Sequence, residues 1–367
     1  MPSQSISLLF GAFLLSLTPT LIAFPLSSRQ TNVTFAHLNQ PCGVAANARA
    51  YPGTGDHSKS GLCCSSWNRA GVTDDHCFLS NGCQPAWGRC VDGTKLPAAP
   101  TLYTGCTKPG LVSLGYDDGP SILTSSLLDY LKTAGIKATF YVNGIDWKAA
   151  PTKNPLPGLY ALASVVKRAY TEGHQICSHT WSHTDFITVN QYNNTYEMSR
   201  LNNAFNSILG VVPTCVRPPY GDFDATSLRV LQGLGYGEDS GGAIVTWNLD
   251  AVDWDPAGYG TTTTVQVAGM MDSIKEDTKN QISKTGFVTL NHDVWNTTAD
   301  FRNPGALLPG VKPFTQQFVE YMKTQKWKFV RLDECLGRPV GSMYRAATPS
   351  DLYCGDSGSY GGGSCFL

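Results

Sequence analysis

From Leu111 onward the chain alternates short apolar runs with stretches of helical periodicity, and few folds accept that alternation. The runs Leu111–Tyr116, Ala138–Val142, Gln175–Cys177, Thr214–Val216, Ile244–Trp247, Gly286–Asn291 and Lys328–Leu332 have strand length and apolar content. They suit buried strands. Between them, Leu123, Leu127, Leu128 and Leu131 recur at helical spacing and stop at Gly135, a C-cap signal. The same spacing predicts helices over 159–172, 191–209, 225–234, 263–277 and 311–325. Seven strand signals alternating with helices imply a parallel α/β architecture, either a barrel or a doubly wound sheet.

Polar clusters follow the strand signals. Asp117-Asp118 ends the first, His179 to His183 the third, Arg217 the fourth, Asp250 to Asp253 the fifth and His292 the sixth. In parallel barrels the rim beyond the strand C-termini is where active sites assemble. His179 and His183 stand four apart, so both imidazoles can face one ion, and one carboxylate would complete a set with open coordination positions. Alone, that spacing or the turn-like Asp-Gly-Pro of residues 118–120 is a weak signal; the ordered combination is a strong one.

The cysteines divide the chain. Six of the 12 fall between Cys42 and Cys90, a density typical of a disulfide scaffold too small for its own apolar core. The other six are spread through the larger body, and no paired zinc-finger spacing occurs. Ile6 to Ala23 is an apolar stretch too short and interrupted for a membrane span, and it reads as a signal peptide over 1–23, although no Lys or Arg precedes it. Sequons at Asn32, Asn193 and Asn296 permit glycosylation. A net charge of −1 and only 15% charged residues exclude a nucleic-acid or polybasic membrane partner. The expectation is a secreted monomer, extracellular or cell-wall associated.

The cysteine-rich segment resembles a hevein-like chitin-binding module. The resemblance rests on Cys42-Gly43, Cys63-Cys64-Ser65-Ser66-Trp67, the stretch Gly71 to Cys77, Gly82-Cys83-Gln84 and Cys90. It implies bridges Cys42–Cys64, Cys63–Cys77 and Cys83–Cys90, with Ser65 and Trp67 as sugar contacts. One family bridge is lost as a pair, with Ala70 at one of its two positions. Arg69 and His76 stand where two further aromatics are usual. Stacking is worth about 1–3 kcal/mol per ring, so the module is expected to keep its fold more than its affinity.

The larger body resembles carbohydrate esterase family 4, the polysaccharide deacetylases, and within it the fungal chitin deacetylases. Over about residues 106–340, the five family motifs occur in order as Gly115-Tyr116-Asp117-Asp118-Gly119-Pro120, His179 to His183, Arg217-Pro218-Pro219-Tyr220-Gly221, Asp250-Ala251-Val252-Asp253-Trp254 and Leu290-Asn291-His292. The first departs from the commoner Thr-Phe lead-in and keeps both carboxylates. The resemblance implies an α/β fold, an incomplete (β/α)7 barrel, behind a small disulfide-rich module.

It also implies roles. Asp118, His179 and His183 would hold a divalent metal, zinc first and cobalt as the alternative, to polarise an acetyl carbonyl and acidify water. Asp117 would be the general base, paired with Arg217 and kept ionised by it. His292 would be the general acid, its ring held by Asp253. The Tyr220 backbone N–H would stabilise the oxyanion. Trp254 and Leu290 would wall the acetyl pocket. Asp250 stays open between a cap and an Arg217 partner. Trp181 and Trp247 read as core, and His37, His57 and His174 as surface or satisfied histidines.

The expected organisation is a signal peptide 1–23, an N-terminal segment 24–41, the module 42–90, a linker 91–105, the deacetylase domain 106–340 and a Gly-rich tail 341–367. Cys177 and Cys215 lie two residues before His179 and Arg217, so a bridge beneath the site is expected. Cys106–Cys335 would tie the ends of the open barrel, and Cys354–Cys365 would close the tail. The expected reaction is N-deacetylation of chitin or chitooligosaccharides to chitosan and acetate. The alternatives are an O-acetyl xylan esterase using the same site and a non-catalytic chitin-binding protein. A two-carboxylate glycosidase fits poorly, because it has no use for a His-rich metal set.

Overall fold

The computed structural model describes parts of 34–90 and, apart from 146–157, 187–191, 224, 261, 282–284 and 303–310, residues 100–348 and Asp351. The expected signal peptide, His37, His57 and the Cys354–Cys365 pair lie outside the described residues.

Among the described residues, ten short strands form the two main sheets of the body: β1 (Leu102–Tyr103), β2 (Leu111–Ser113), β3 (Gly115–Asp117), β4 (Thr139–Val142), β5 (Gln175–Ser178), β6 (Cys215–Val216), β7 (Ala243–Val245), β8 (Leu249–Asp250), β9 (Gly286–Leu290) and β10 (Lys328–Phe329). They form two parallel sheets, ordered β1-β7-β6-β5-β4-β3 and β8-β9-β2-β10. The sheets share one chain passage, since β2 runs through Leu114 into β3. They meet again where the Asp117 N–H donates to the Asn291 carbonyl at 2.8 Å and Asp117 bridges His292. Gly105–Cys106 pairs antiparallel with β9 at the other end. Among the described residues β7 and β8 share no ladder, so the barrel is incomplete, as the resemblance implied.

Helices α1 (Thr124–Ala134), α2 (Ala163–Thr171), α3 (Tyr192–Leu209), α4 (Ala225–Leu231), α5 (Thr263–Gln281), α6 (Asn296–Ala299) and α7 (Phe314–Thr324) connect the strands. Helix α1 shows why the periodicity was readable. Leu127, Leu128 and Leu131 are fully buried, and Gly135 closes the helix at φ 69°, its N–H on the Leu131 and Lys132 carbonyls. Burying such a side chain contributes roughly 1.5–3 kcal/mol.

Three differences from the sequence reading have physical causes. The run Leu111–Tyr116 is split between two sheets, which no periodicity could reveal because both halves are buried. Leu102–Tyr103, expected in the linker 91–105, is the edge strand β1, and β8 is a further strand inside the fourth motif. Two residues are too short to register a period. The run Lys328–Leu332 ends as a strand at Phe329, because Leu332–Cys335 turns into a helix whose Glu334 carboxylate accepts the Arg331 N–H.

Five disulfides join the described cysteines, and none of these is free. Cys42–Cys64, Cys63–Cys77 and Cys83–Cys90 pair as the resemblance implied. Cys106–Cys335 ties the first strands to the last helical turn, and Cys177–Cys215 joins β5 to β6 in the barrel interior. The tail is not wholly separate. Tyr344–Arg345 pairs with Val212–Pro213, and buried Asp351 is bound by Arg345 and Asn202. Among the described residues no helix is long and apolar enough to cross a membrane.

Candidate active site

Strands β3, β5, β6, β8 and β9 deliver polar residues at or just past their C-terminal ends, and these gather at one rim. Asp117 ends β3, and Asp118 follows at φ 72°, a left-handed conformation that Asp tolerates better than most side chains. The next residue must be glycine. A Cβ on Gly119 would lie 2.2 Å from the Asp293 carboxylate beneath it.

His179 leaves β5 with its N–H on the Val142 carbonyl. Its Nδ1 lies 2.8 Å from the Arg217 carbonyl, an acceptor, so Nδ1 carries the proton and Nε2 is left to face the carboxylates. His179 Nε2 stands 3.6 Å from Asp118 Oδ1, and His183 Nε2 3.3 Å from the same oxygen. One ligand atom from each of Asp118, His179 and His183 lies within 4.8 Å of the others. Burial pushes both imidazoles down to about 4, so they are neutral near pH 7, the form that binds metal. A carboxylate and two neutral imidazoles converging in a buried cavity fit a divalent cation.

Beside this cluster Asp117 meets Arg217. The guanidinium Nη1 donates to Asp117 Oδ1 at 2.7 Å, and Nη2 donates to the carbonyls of Thr246 and Thr289 at 3.2 Å each. The arginine is fully buried, with its Cζ 3.8 Å from the Tyr141 ring centre. Burial pushes the Asp117 carboxyl up to about 6, against the pull of Arg217 and His292. Arg217 therefore restrains the rise rather than holding the acid at its ordinary value. An acid near 6 is still mostly ionised at pH 7 and is well matched to taking a proton there.

His292, also next to the cluster, meets Asp253. The His292 Nδ1–H donates to Asp253 Oδ1 at 2.7 Å. Oδ2 accepts the His292 N–H at 2.8 Å and the Thr298 hydroxyl at 2.7 Å. Burial alone would lower the histidine, but the Asp253 charge and hydrogen bond outweigh it and lift His292 to about 9.

The cavity, about 320 Å³, is lined by Asp117, Asp118, His179, His183, Tyr220, Trp247, Asp250, Trp254, Leu290, His292 and Trp295. Tyr220 sits at φ 61° in the tight turn Pro219–Gly221, its ring edge-on to His183 with centroids 4.4 Å apart. Leu290 is buried, and Trp254 is about half exposed. Trp247, assigned to the core from its sequence, lies in the wall instead. It packs so closely on Gly221 that a Cβ there would meet the indole at 2.7 Å. Trp181 is core as expected. Asp250 caps its own loop, Oδ1 accepting the Val252 N–H at 2.7 Å, while Arg217 binds Asp117 and carbonyls. His174 is buried, with Nδ1 accepting the Ala138 N–H at 3.0 Å.

Ser65 and Trp67 do not join this cavity. They lie in the turn between the paired Cys63–Cys64 and Ala70–Gly71. Ser65 is buried, and its hydroxyl donates to the Arg69 carbonyl at 3.1 Å, so it is not presented to a sugar as expected. The reason is local: a serine at the start of a tight turn satisfies the turn's backbone first. Trp67 is 65% exposed. The sequence reading also missed Trp295 and Thr298. Their nearness to His292 in the chain is the only signal that pointed to them.

A model of the family described as polysaccharide deacetylase matches residues 104–238, the half of the body that carries Asp117 through Tyr220. A chitin deacetylase of Pestalotiopsis sp. is 35% identical over 246 residues, 67% of this chain and 70% of that protein. A chitin deacetylase of Colletotrichum lindemuthianum is 31% identical over 242 residues, 66% of this chain and 85% of that protein. The solved structure of the chitin deacetylase from that fungus superposes with a TM-score of 0.54 at 28% identity, over 69% of this chain and 98% of that one. Relatives matched over most of their own length, and a fold shared with one of them, leave one assignment: the chain belongs to the polysaccharide deacetylases of carbohydrate esterase family 4, and it is a hydrolase.

Proposed function

We propose that the protein is a secreted, metal-dependent chitin deacetylase that hydrolyses the N-acetyl groups of chitin or its oligomers. The observation that carries this reading is the meeting of two differently tuned pairs in one cavity. Asp117, near 6, and His292, near 9, both line the cavity that holds the Asp118–His179–His183 cluster. Near pH 7 the first is mostly ionised and the second protonated, so they divide into a base and an acid.

Asp118, His179 and His183 would hold the cation, zinc or cobalt. When bound, it supplies Lewis acidity to the acetyl carbonyl and makes water a stronger acid. Asp117 takes a proton from the attacking water as the water oxygen bonds to the acetyl carbon. Arg217 keeps the Asp117 carboxylate turned to receive that proton. The oxyanion receives a hydrogen bond from the Tyr220 N–H. The carbon–nitrogen bond then breaks as His292 delivers its proton to the departing amine, and Asp253 stabilises the imidazolium until that transfer. Acetate and a glucosamine unit result. Trp254 and Leu290 give the acetyl methyl an apolar wall.

The relatives' substrate, the apolar wall and the cysteine-rich segment support chitin. The apolar Ile6–Ala23 and the wholly paired described cysteines support secretion. Acetate release is to be measured on chitin oligomers and on acetylated xylan, with and without a chelator. Chelator-sensitive release from the oligomers is expected. Release from xylan alone would transfer the site to ester hydrolysis, and release indifferent to chelation would overturn the metal.

A further inference from the structure

The loop that carries both histidines is strained, and the strain has to be held from outside. Thr180 and His183 adopt φ of 69° and 58°, the left-handed region that costs a non-glycine residue stability. A loop of five residues that must aim two imidazoles at one point cannot be left to its own preferences.

Its first half is anchored by the barrel. His179 hangs on the Val142 and Arg217 carbonyls. The Asn143 side-chain amide donates to the carbonyls of His179 and Thr180 at 2.5 and 2.9 Å. Further along, the Trp181 carbonyl still accepts the Gly144 and Ile145 N–H groups, whereas Ser182 is held by helix α3. Ser182 donates its N–H to Glu197 Oε2 at 2.5 Å and its hydroxyl to Glu197 Oε1 at 2.8 Å. Glu197 is 4% exposed, so its end of both bonds is withdrawn from water. One helical turn further along α3, the Arg200 guanidinium lies 4.1 Å from the Trp181 ring centre. Helix α3 therefore grips the two residues that immediately precede His183.

We propose that Glu197 is a positioning residue for the metal site: by clamping Ser182 it fixes the backbone that aims His183 at Asp118. The proposal rests on the reading of Asp118, His179 and His183 as ligands. Glu197 touches neither substrate nor metal and acts only through the loop. Because the ligand set is split between two anchors, loss of one should loosen one imidazole while the rest of the barrel stays folded.

The test uses the full chain stripped of metal, titrated with zinc against a competing chelator, alongside its thermal unfolding midpoint. Glu197→Ala should weaken zinc binding by about 10–100-fold, the usual cost of losing a partner behind a ligand. Glu197→Gln, which can still accept the Ser182 N–H and donate to its hydroxyl, should recover most of the loss. Ser182→Ala removes the hydroxyl bonds to Glu197 and Thr184 but keeps the N–H bond, and should weaken zinc about threefold to tenfold. It also serves if Glu197→Ala does not fold.

Asn202→Ala is the control. Asn202 is buried on the same helix and binds Tyr236 and Asp351, neither of them a residue of the loop. It should lower the unfolding midpoint and leave zinc affinity unchanged. Glu197 and Ser182 variants that bind zinc as tightly as the parent would overturn the proposal. So would an Asn202 variant that loses as much affinity at an equal fall in midpoint. A parent chain that binds no zinc would instead remove the metal reading beneath it.

Discussion

Arg217 Nη1 donates to Asp117 Oδ1 at 2.7 Å, and neither side chain keeps more than 2% of its surface in water. A pair sealed this way is asymmetric in its consequences, because removing either partner strands the other charge. Asp117→Asn keeps the shape and removes the base. Acetate release is expected to fall by about 10²–10⁴-fold, the range for loss of a general base. Zinc binding should stay within a few-fold of the parent, since Asp117 is not in the ligand set. Arg217→Ala should cost more stability than activity arguments alone suggest, about 3–5 kcal/mol in denaturant unfolding. A stable Arg217→Ala chain would mean that Asp117 is carried neutral.

Asp253 lifts His292 to about 9, and that sets the alkaline limit of the proposed acid. The histidine is competent while protonated, so its contribution is present below about 9 and is lost as pH rises through that value. Asp253→Asn removes the charge that opposes burial. The histidine should then drop below its ordinary 6.5 and be deprotonated near neutrality. The kcat/KM profile of the variant should lose its alkaline limb first, falling far more at pH 8 than at pH 6. A profile lowered evenly at all pH values would assign Asp253 a packing role instead.

Much of this architecture is legible without coordinates because it is written in periodicity. The leucines of α1, the apolar runs of β4 and β9 and the polar residues that follow each strand all declare themselves along the chain. The pairs Asp117–Arg217 and His292–Asp253, implied by the family resemblance, are seen here as hydrogen bonds. What stays hidden depends on contact between residues far apart in the chain. Glu197 lies 15 positions from Ser182, and Thr298 lies 45 from Asp253, on ordinary helices with nothing in their composition to mark them. Ser65 misleads for the opposite reason: the local turn claims its hydroxyl before any ligand could. The two-residue strands β1 and β8 carry no period at all.

His174 offers a pH test of stability remote from the proposed chemistry. It is fully buried, its Nδ1 accepts the Ala138 N–H, and burial pushes it down to about 4. An unfolded chain takes up a proton here near 6.5, whereas the folded chain refuses it until about 4. The folded state is therefore favoured fully above 6.5 and progressively less as pH falls toward 4. The loss amounts to at most about 3 kcal/mol for this group. His179 and His183, also held near 4, add slopes of the same sign, so the decisive quantity is a difference. The gap in unfolding free energy between parent and His174→Gln should shrink between pH 7.5 and pH 5. A gap that stays constant would show that the buried imidazole is protonated without penalty.

Cys177–Cys215 ties β5 to β6 directly under the rim, each cysteine two residues before a residue of the proposed site. Along a strand, that spacing puts cysteine and site residue on the same face, so the bridge sets how far His179 can stand from Arg217. The bridge closes a loop with a sequence separation of 38. By the chain-entropy argument, that is worth about 4 kcal/mol of stability. The double variant Cys177→Ala, Cys215→Ala should unfold at correspondingly lower denaturant. It should also bind zinc less tightly, because the His179 Nδ1 bond to the Arg217 carbonyl spans the two strands it unlinks. Cys106→Ala, Cys335→Ala is the comparison. Its bridge closes a far longer loop, with a separation of 229, and lies among the strand ends opposite the rim. That variant should lose at least as much stability while keeping zinc affinity. Equal losses of affinity in both variants would mean that the site responds to general loosening of the barrel, and the bridge beneath it would have no particular role.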